Sequence, residues 1–182
     1  MKTPLTYGFL MALGGALLTL VLFFAGFHDS PEKMKTAQGI GIVVGLAITI
    51  TCLSLAMREK RANLPPDADW GYGSAFGVGV LTAIVSAAFG TLFAYLYFGV
   101  INPGFSDMIL QVQLEKMEGA RMSAAQIERA EPMLRKWVSP IALTITQCIM
   151  AVIGGAILSL IVAIFHRRPP VPPIPVSAPT PV

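Results

Sequence analysis

Between Trp70 and Phe105 the chain carries no charged side chain: WGYGSAFGVGVLTAIVSAAFGTLFAYLYFGVINPGF. A membrane-crossing helix needs roughly 20 predominantly apolar residues, and this stretch exceeds that by a wide margin. In water it would have to be covered on every side, because it has no polar face at helical spacing. In lipid it needs no such cover. A span over about 74–100 follows. At about 1.5 Å per residue it reaches roughly 40 Å, more than the roughly 30 Å hydrocarbon core, so it must tilt, kink or project.

Three further runs share this character, at about 5–27, 38–57 and 139–165. Only 13% of the 182 residues are charged, against about 25% in a soluble domain. The charge is missing from four blocks rather than thinned throughout. The predicted fold is therefore all-α: a polytopic membrane protein with four transmembrane helices in one domain, 1–168. An amphipathic helical segment, 106–136, separates the third span from the fourth. Residues 169–182 are proline-rich, which predicts an extended, disordered tail that adds no core. The first run is longer than a signal-peptide core. It also ends in Phe23, Phe24 and Phe27, which fit a small-residue cleavage site poorly, so it is predicted to be an uncleaved helix.

Local signals set the boundaries. His28–Lys35 reads as a polar loop in which Ser30, Pro31 and Glu32 mark a turn or helix start. Arg58-Glu59-Lys60-Arg61 stops the second span, and Pro65 and Pro66 stop its helix. Asp67 and Asp69 stand where carboxylates would complement the dipole of the third helix. Trp70 and Tyr72 at one end of that helix, and Tyr95, Tyr97 and Phe98 at the other, match interfacial aromatic belts, as does Trp137 before the fourth span. Asn102-Pro103-Gly104-Phe105 reads as a helix stop with a tight turn. Its functional alternative is a hinge that swings the 106–136 segment over an outward cavity. Within that segment Gly119 offers one helix end and Ser123 with Gln126 a capping box. Ile127, Ala130 and Leu134 form an apolar stripe, and Pro132 should bend or interrupt the helix. The segment is expected to rest on the membrane or to cap the bundle.

Four spans put both termini on one side. The total Lys and Arg counts do not choose that side, but placement does. Arg58, Lys60, Arg61, Arg167 and Arg168 abut spans directly, whereas most basic residues of 106–136 have acidic neighbours. This predicts a bacterial inner membrane protein with both termini cytoplasmic.

Lipid is as apolar as leucine, so helices associate in it through close backbone approach at small residues. Such residues recur every fourth position: Gly8, Ala12, Ala16; Ala37, Gly41, Gly45, Thr49; Ala75, Gly79, Ala83, Ala87, Thr91; Ala151, Gly155, Ser159, Ala163. These stripes predict tight helix seams, inside the bundle or at a dimer interface.

No Asp, Glu, Lys, Arg or His lies in the core of any span, which argues against a proton-coupled pump or a voltage sensor. Gln147 is the most polar core residue, and an interhelical hydrogen bond to Thr49, Thr51 or Ser86 is its expected role. His28, Asp29 and Glu32 make a weak metal pattern, and a solvated loop is the better reading. Cys52 and Cys148 lack metal or redox spacing and read as packing residues. No nucleophile–base pair, paired carboxylates or HExxH spacing is present. No enzyme, cofactor or metal site is expected. The net charge of +3 forms no basic stripe, so nucleic acid is not an expected partner.

Tyr7-Gly8, GYGSAFGVGV, INPGF, EKMEGARMSAAQIERA and GGAILSLIVAIFHRR occur in this order. Together they resemble the uncharacterised bacterial membrane family catalogued as domain of unknown function 4199, over about Thr3–Arg168. The resemblance implies four membrane helices with a longer segment before the last. It brings no site residues, and the proline-rich tail departs from it. Two functions compete. One is a non-enzymatic protein acting through helix contacts, as a homo-oligomer or a membrane partner's accessory subunit. The other is a small transporter or channel subunit for an uncharged or lipid-like solute. A water-filled cavity reaching Gln147 would favour the second, and a dry, closely packed interior the first.

Overall fold

The computed structural model describes residues 2–65 and 68–166. Pro66, Asp67, Arg167, Arg168 and the tail at 169–182 lie outside the described residues. Six α-helices follow in order: α1 Lys2–Phe24, α2 Pro31–Ala62, α3 Tyr72–Leu96, α4 Phe105–Gly119, α5 Ala124–Trp137 and α6 Pro140–His166. A π-helical turn, Tyr97–Ile101, extends α3. Among the described residues there is no strand. Helices α1, α2, α6 and α3 with its π-turn are long and apolar enough to cross a membrane. Their outward faces carry exposed Leu17, Val21, Val43, Leu92, Ile153 and Phe165, a surface suited to lipid.

In the bundle, α1 and α3 pack side by side, α2 lies against α1, and α6 lies against α3. The seams are built by missing side chains. A Cβ at Gly8 would stand 2.7 Å from Val85, and one at Gly79 2.6 Å from both Ser159 Oγ and Met57 Cε. At Gly155 it would stand 2.5 Å from the Cβ of Ala83. Backbones therefore touch where a larger residue would hold them apart. The hydroxyls buried in these seams are satisfied within their own helices. Thr82 Oγ1 donates to the Val78 carbonyl at 2.8 Å and Ser159 Oγ to the Gly155 carbonyl at 2.7 Å. Neither asks the facing helix for a partner.

Polar ties lock the end of the bundle where α1 begins. Glu59 on α2 accepts from Thr3 Oγ1 and from the Tyr7 hydroxyl on α1, each at 2.9 Å. Trp70 Nε1 donates to the His166 carbonyl at 2.8 Å, and the Tyr72 hydroxyl donates to the Leu160 carbonyl at 3.1 Å, joining the start of α3 to the end of α6. Beneath them Leu53, Met57, Trp70, Ala75, Val162 and Ala163 form an apolar plug in which α2, α3 and α6 converge.

Several local signals hold. Ser30 caps α2, with Pro31 in its first turn, and Ser123 and Gln126 form the capping box of α5. Helix α2 starts earlier than the predicted span, so half of the predicted polar loop is its first turn. Others are corrected. Trp70 is only 3% exposed and Tyr97 1%, and Phe98 is buried too, so these aromatics pack inside the bundle instead of girdling it; Tyr72, Tyr95 and Trp137 are exposed. Asp69 does stand close to the start of α3, just before its N-cap Gly71, outside the first turn, which begins at Tyr72. The helix stops themselves hold: the π-turn ends at Ile101, just before Asn102, and α4 ends at Gly119, although Gly104 has an ordinary helical φ of −72° and the left-handed residue after α4 is Arg121, φ 59°. Pro132 sits inside α5 without interrupting it.

Adjacent glycines on α6 separate seam from open space: nothing lies within 4 Å of a Cβ built at Gly154. Gly155→Leu is expected to destabilise the protein by about 1–3 kcal/mol through overpacking, while Gly154→Leu leaves the melting temperature in detergent unchanged. Equal melting of the two variants in a thermal unfolding assay would refute the seam.

Candidate functional site: a cavity open to the bilayer

Above the apolar plug, α2 and α6 part. The space they leave, backed by α1 and α3, is a cavity of about 660 Å³. Small residues make it: Gly15 and Ala16 on α1, Gly45 on α2, Gly90 on α3, Gly154 on α6. At each of these four glycines an added Cβ would meet no atom within 4 Å. Small residues thus serve in two ways: Gly8, Gly79 and Gly155 build seams, and Gly15, Gly45, Gly90 and Gly154 leave open space. Ile42 on α2 and Met150 on α6 line the cavity yet are each 63% exposed. They mark an opening between α2 and α6 on the outer surface of the bundle.

Among the described residues the lining has no Asp, Glu, Lys, Arg or His. Its threonines present little polarity, because Thr19, Thr49 and Thr91 donate to carbonyls four residues back, at 3.0, 2.8 and 2.7 Å. Gln147 is different. It lines the cavity and, among the described residues, hydrogen-bonds to nothing. The expected bond to Thr49, Thr51 or Ser86 is absent: Thr49 is turned to its own helix, and Gln147 faces the open space. Cys148 lines the same cavity as a free thiol, and Cys52 is half-buried on α2.

Towards the end where α3 gives way to α4 the cavity continues into a smaller pocket of about 190 Å³, sharing Thr19, Leu22, Gly41, Phe93 and Gln147 with it. Its roof is an aromatic cluster centred on Tyr97. The ring of Tyr97 lies 5.9 Å from Phe23 and from Phe93, 5.5 Å from Phe98 and 5.8 Å from Phe105. The π-turn places it there. Pro103 has no N–H, and the residue before a proline avoids helical backbone. Asn102 accordingly leaves the helix at φ −134° and its N–H reaches back to the Tyr97 carbonyl at 2.7 Å. Such π-bulges recur at functional sites.

The Tyr97 hydroxyl accepts from Asn102 Nδ2 at 3.1 Å and is hydrogen-bonded to His28 Nδ1. His28, from the α1–α2 loop, also packs its ring 5.4 Å from Phe105. Predicted as loop solvation or a weak metal group, it is instead half-buried against the end of α3; Asp29 and Glu32 stay exposed. The sequence carried a signal for this pair that spacing alone does not rank: both residues fall at span ends that four-span topology puts on the same side. Burial lowers the His28 pKa below its ordinary value of 6.5, opposed by the neighbouring Asp29 carboxylate. The folded protein thus favours neutral His28. As pH falls below about 6.5, an unfolded histidine takes up a proton that the folded one resists. Stability is then lost down to the folded pKa and levels off below it. Thermal unfolding between pH 8 and 5 should show this loss, and His28→Phe should flatten the profile; an equally steep profile in that variant would exclude His28 as its source.

No curated protein and no solved structure matches this chain. A family model described as "Protein of unknown function (DUF4199)" matches residues 6–168. That match runs from the first turns of α1 to the end of α6 and agrees with the resemblance carried by the motifs, so the chain belongs to the DUF4199 family.

Proposed function

We propose that the protein is a non-enzymatic binding and transfer subunit for an uncharged, lipid-like molecule. The molecule enters from the bilayer between α2 and α6. The observation that carries this reading is the cavity itself: about 660 Å³, within the usual range of small-molecule sites, uncharged and open between α2 and α6. A charged ligand would have no counter-charge there and would pay the full cost of desolvation. A simple pore is disfavoured, because the plug of Leu53, Met57, Trp70, Val162 and Ala163 closes one end and aromatic rings roof the other. Access from lipid fits both facts. We further propose the bacterial inner membrane, with both termini cytoplasmic, on the placement of Arg58, Lys60 and Arg61 at the end of α2.

A second reading shares the same opening. Gly41 and Gly45 on one lip and Gly154 on the other have open space beside them, room that a helix of a partner or of a second copy could also use. Gentle extraction with mass determination separates the two: a stoichiometric protein partner supports the accessory reading.

An uncharged long-chain alcohol carrying a photoreactive diazirine tests the proposal in liposomes. Labelling is expected to concentrate on the cavity lips around Ile42 and Met150. The double variant Gly45→Leu/Gly154→Leu should lose it while melting as the wild type does, since both positions have room. Labelling spread evenly over outward residues such as Phe24 and Phe165 would refute the cavity as a binding site.

A further inference from the structure

The small pocket next to the aromatic roof differs chemically from the main chamber. Five of its lining residues are rings: His28, Phe93, Tyr97, Phe98 and Phe105. Two are glutamines on the helices that form the mouth, Gln38 on α2 and Gln147 on α6, and neither has a hydrogen-bond partner among the described residues. Among the described residues it contains no Asp, Glu, Lys or Arg.

The protons in this pocket can be assigned by counting. Asn102 Nδ2 donates to the Tyr97 oxygen. Tyr97 then has one proton of its own to give, and its other partner is His28 Nδ1. The arrangement that uses this proton has Nδ1 accepting, which places the proton of neutral His28 on Nε2. The pocket thus holds one imidazole N–H and two amide groups able to donate. Gln38 and Gln147 are exposed and His28 is half-buried. A ligand that covers them and supplies acceptors keeps these donors paired, whereas one without acceptors strips them of partners.

Resting on the lipid-binding reading above, we propose that this pocket receives the head of a quinone-type lipid. Such a head is a flat, uncharged six-membered ring with carbonyl acceptors, and its hydrocarbon tail runs through the main chamber to the α2–α6 opening. The aromatic walls suit a flat ring, which packs against them by stacked or edge contacts. The donors suit a head that has acceptors and no donors of its own. The volume, about 190 Å³, suits one substituted ring and is below that of drug-sized sites. The lack of charge suits a neutral head. The main chamber, with its glycines and back-bonded threonines, supplies a largely apolar channel for the tail.

The test uses the full chain in lipid nanodiscs and two competitors of identical tail, a decyl-substituted p-benzoquinone and decylbenzene. Each is titrated against the photoreactive alcohol. The quinone is expected to displace the probe at about tenfold lower concentration than decylbenzene. His28→Phe keeps a ring in place and removes both nitrogens; Gln147→Leu removes an amide from a side chain that supports no other group. Each variant should bring the two competitors to within about threefold, with decylbenzene unchanged. If His28→Phe does not fold, Gln147→Leu carries the test alone. Equal competition by the two compounds in the wild type would overturn the quinone head and leave the cavity reading standing. A quinone preference that survives both variants would overturn its assignment to this pocket. Failure of the probe to label the cavity at all would overturn both readings.

Discussion

The bundle depends on three places where a side chain is missing. In lipid no hydrophobic gain draws helices together, so the energy of association comes from van der Waals contact at short range. Gly8 against Val85, Gly79 against Ser159 and Gly155 against Ala83 bring α1, α3 and α6 close enough for that contact to accumulate along their length. Everything else is arranged around this three-helix slab. Helix α2 leans on one edge of it. It is held to α1 by Glu59 at one end and to the slab by Leu53 and Met57.

The same residue type serves two opposite purposes, and geometry decides which. At Gly155 the facing helix is present and the glycine allows approach. At Gly154, one residue and about 100° further round the helix, nothing faces it and the glycine leaves a void. A sequence pattern reports only that residues are small. It identifies the helix faces that matter, and in α3 it identified them well: Ala75, Gly79, Ala83 and Ala87 are all buried. It cannot report whether a neighbour fills the space, since that depends on how far α2 splays. The four spans, the capping box at Ser123 and the N-cap at Ser30 were legible because they are encoded within one or two helical turns. The Tyr97 cluster was not. Aromatics near a span end look alike whether they face lipid headgroups or the bundle, and the difference lies in a π-turn that shifts the helix register by one residue just before Pro103. Gln147 was singled out correctly as the polar member of α6, but its expected partner was not, because threonines in apolar surroundings bond back to their own helix first.

The cavity and the aromatic roof share a design logic. The chain keeps ionisable groups out of the spans and leaves polarity to amides, hydroxyls and one neutral imidazole, none of which needs a counter-ion. Such groups recognise ligands by the direction of a hydrogen bond and by shape rather than by field strength. That is a selectivity suited to molecules that already dissolve in the bilayer and differ from bulk lipid mainly in their heads.

Helix α2 is 32 residues long, roughly 48 Å at 1.5 Å per residue, and it is gripped along that length. Glu59, Leu53 and Met57 hold one end, Ile48 meets Gly14 midway, and Met34 and Ala37 are buried at the other end. It is therefore a beam clamped at several points rather than a lever. The exposed lip at Ile42 lies between two of these grips, so the width of the mouth depends on how far one short, unsupported stretch of helix can bow.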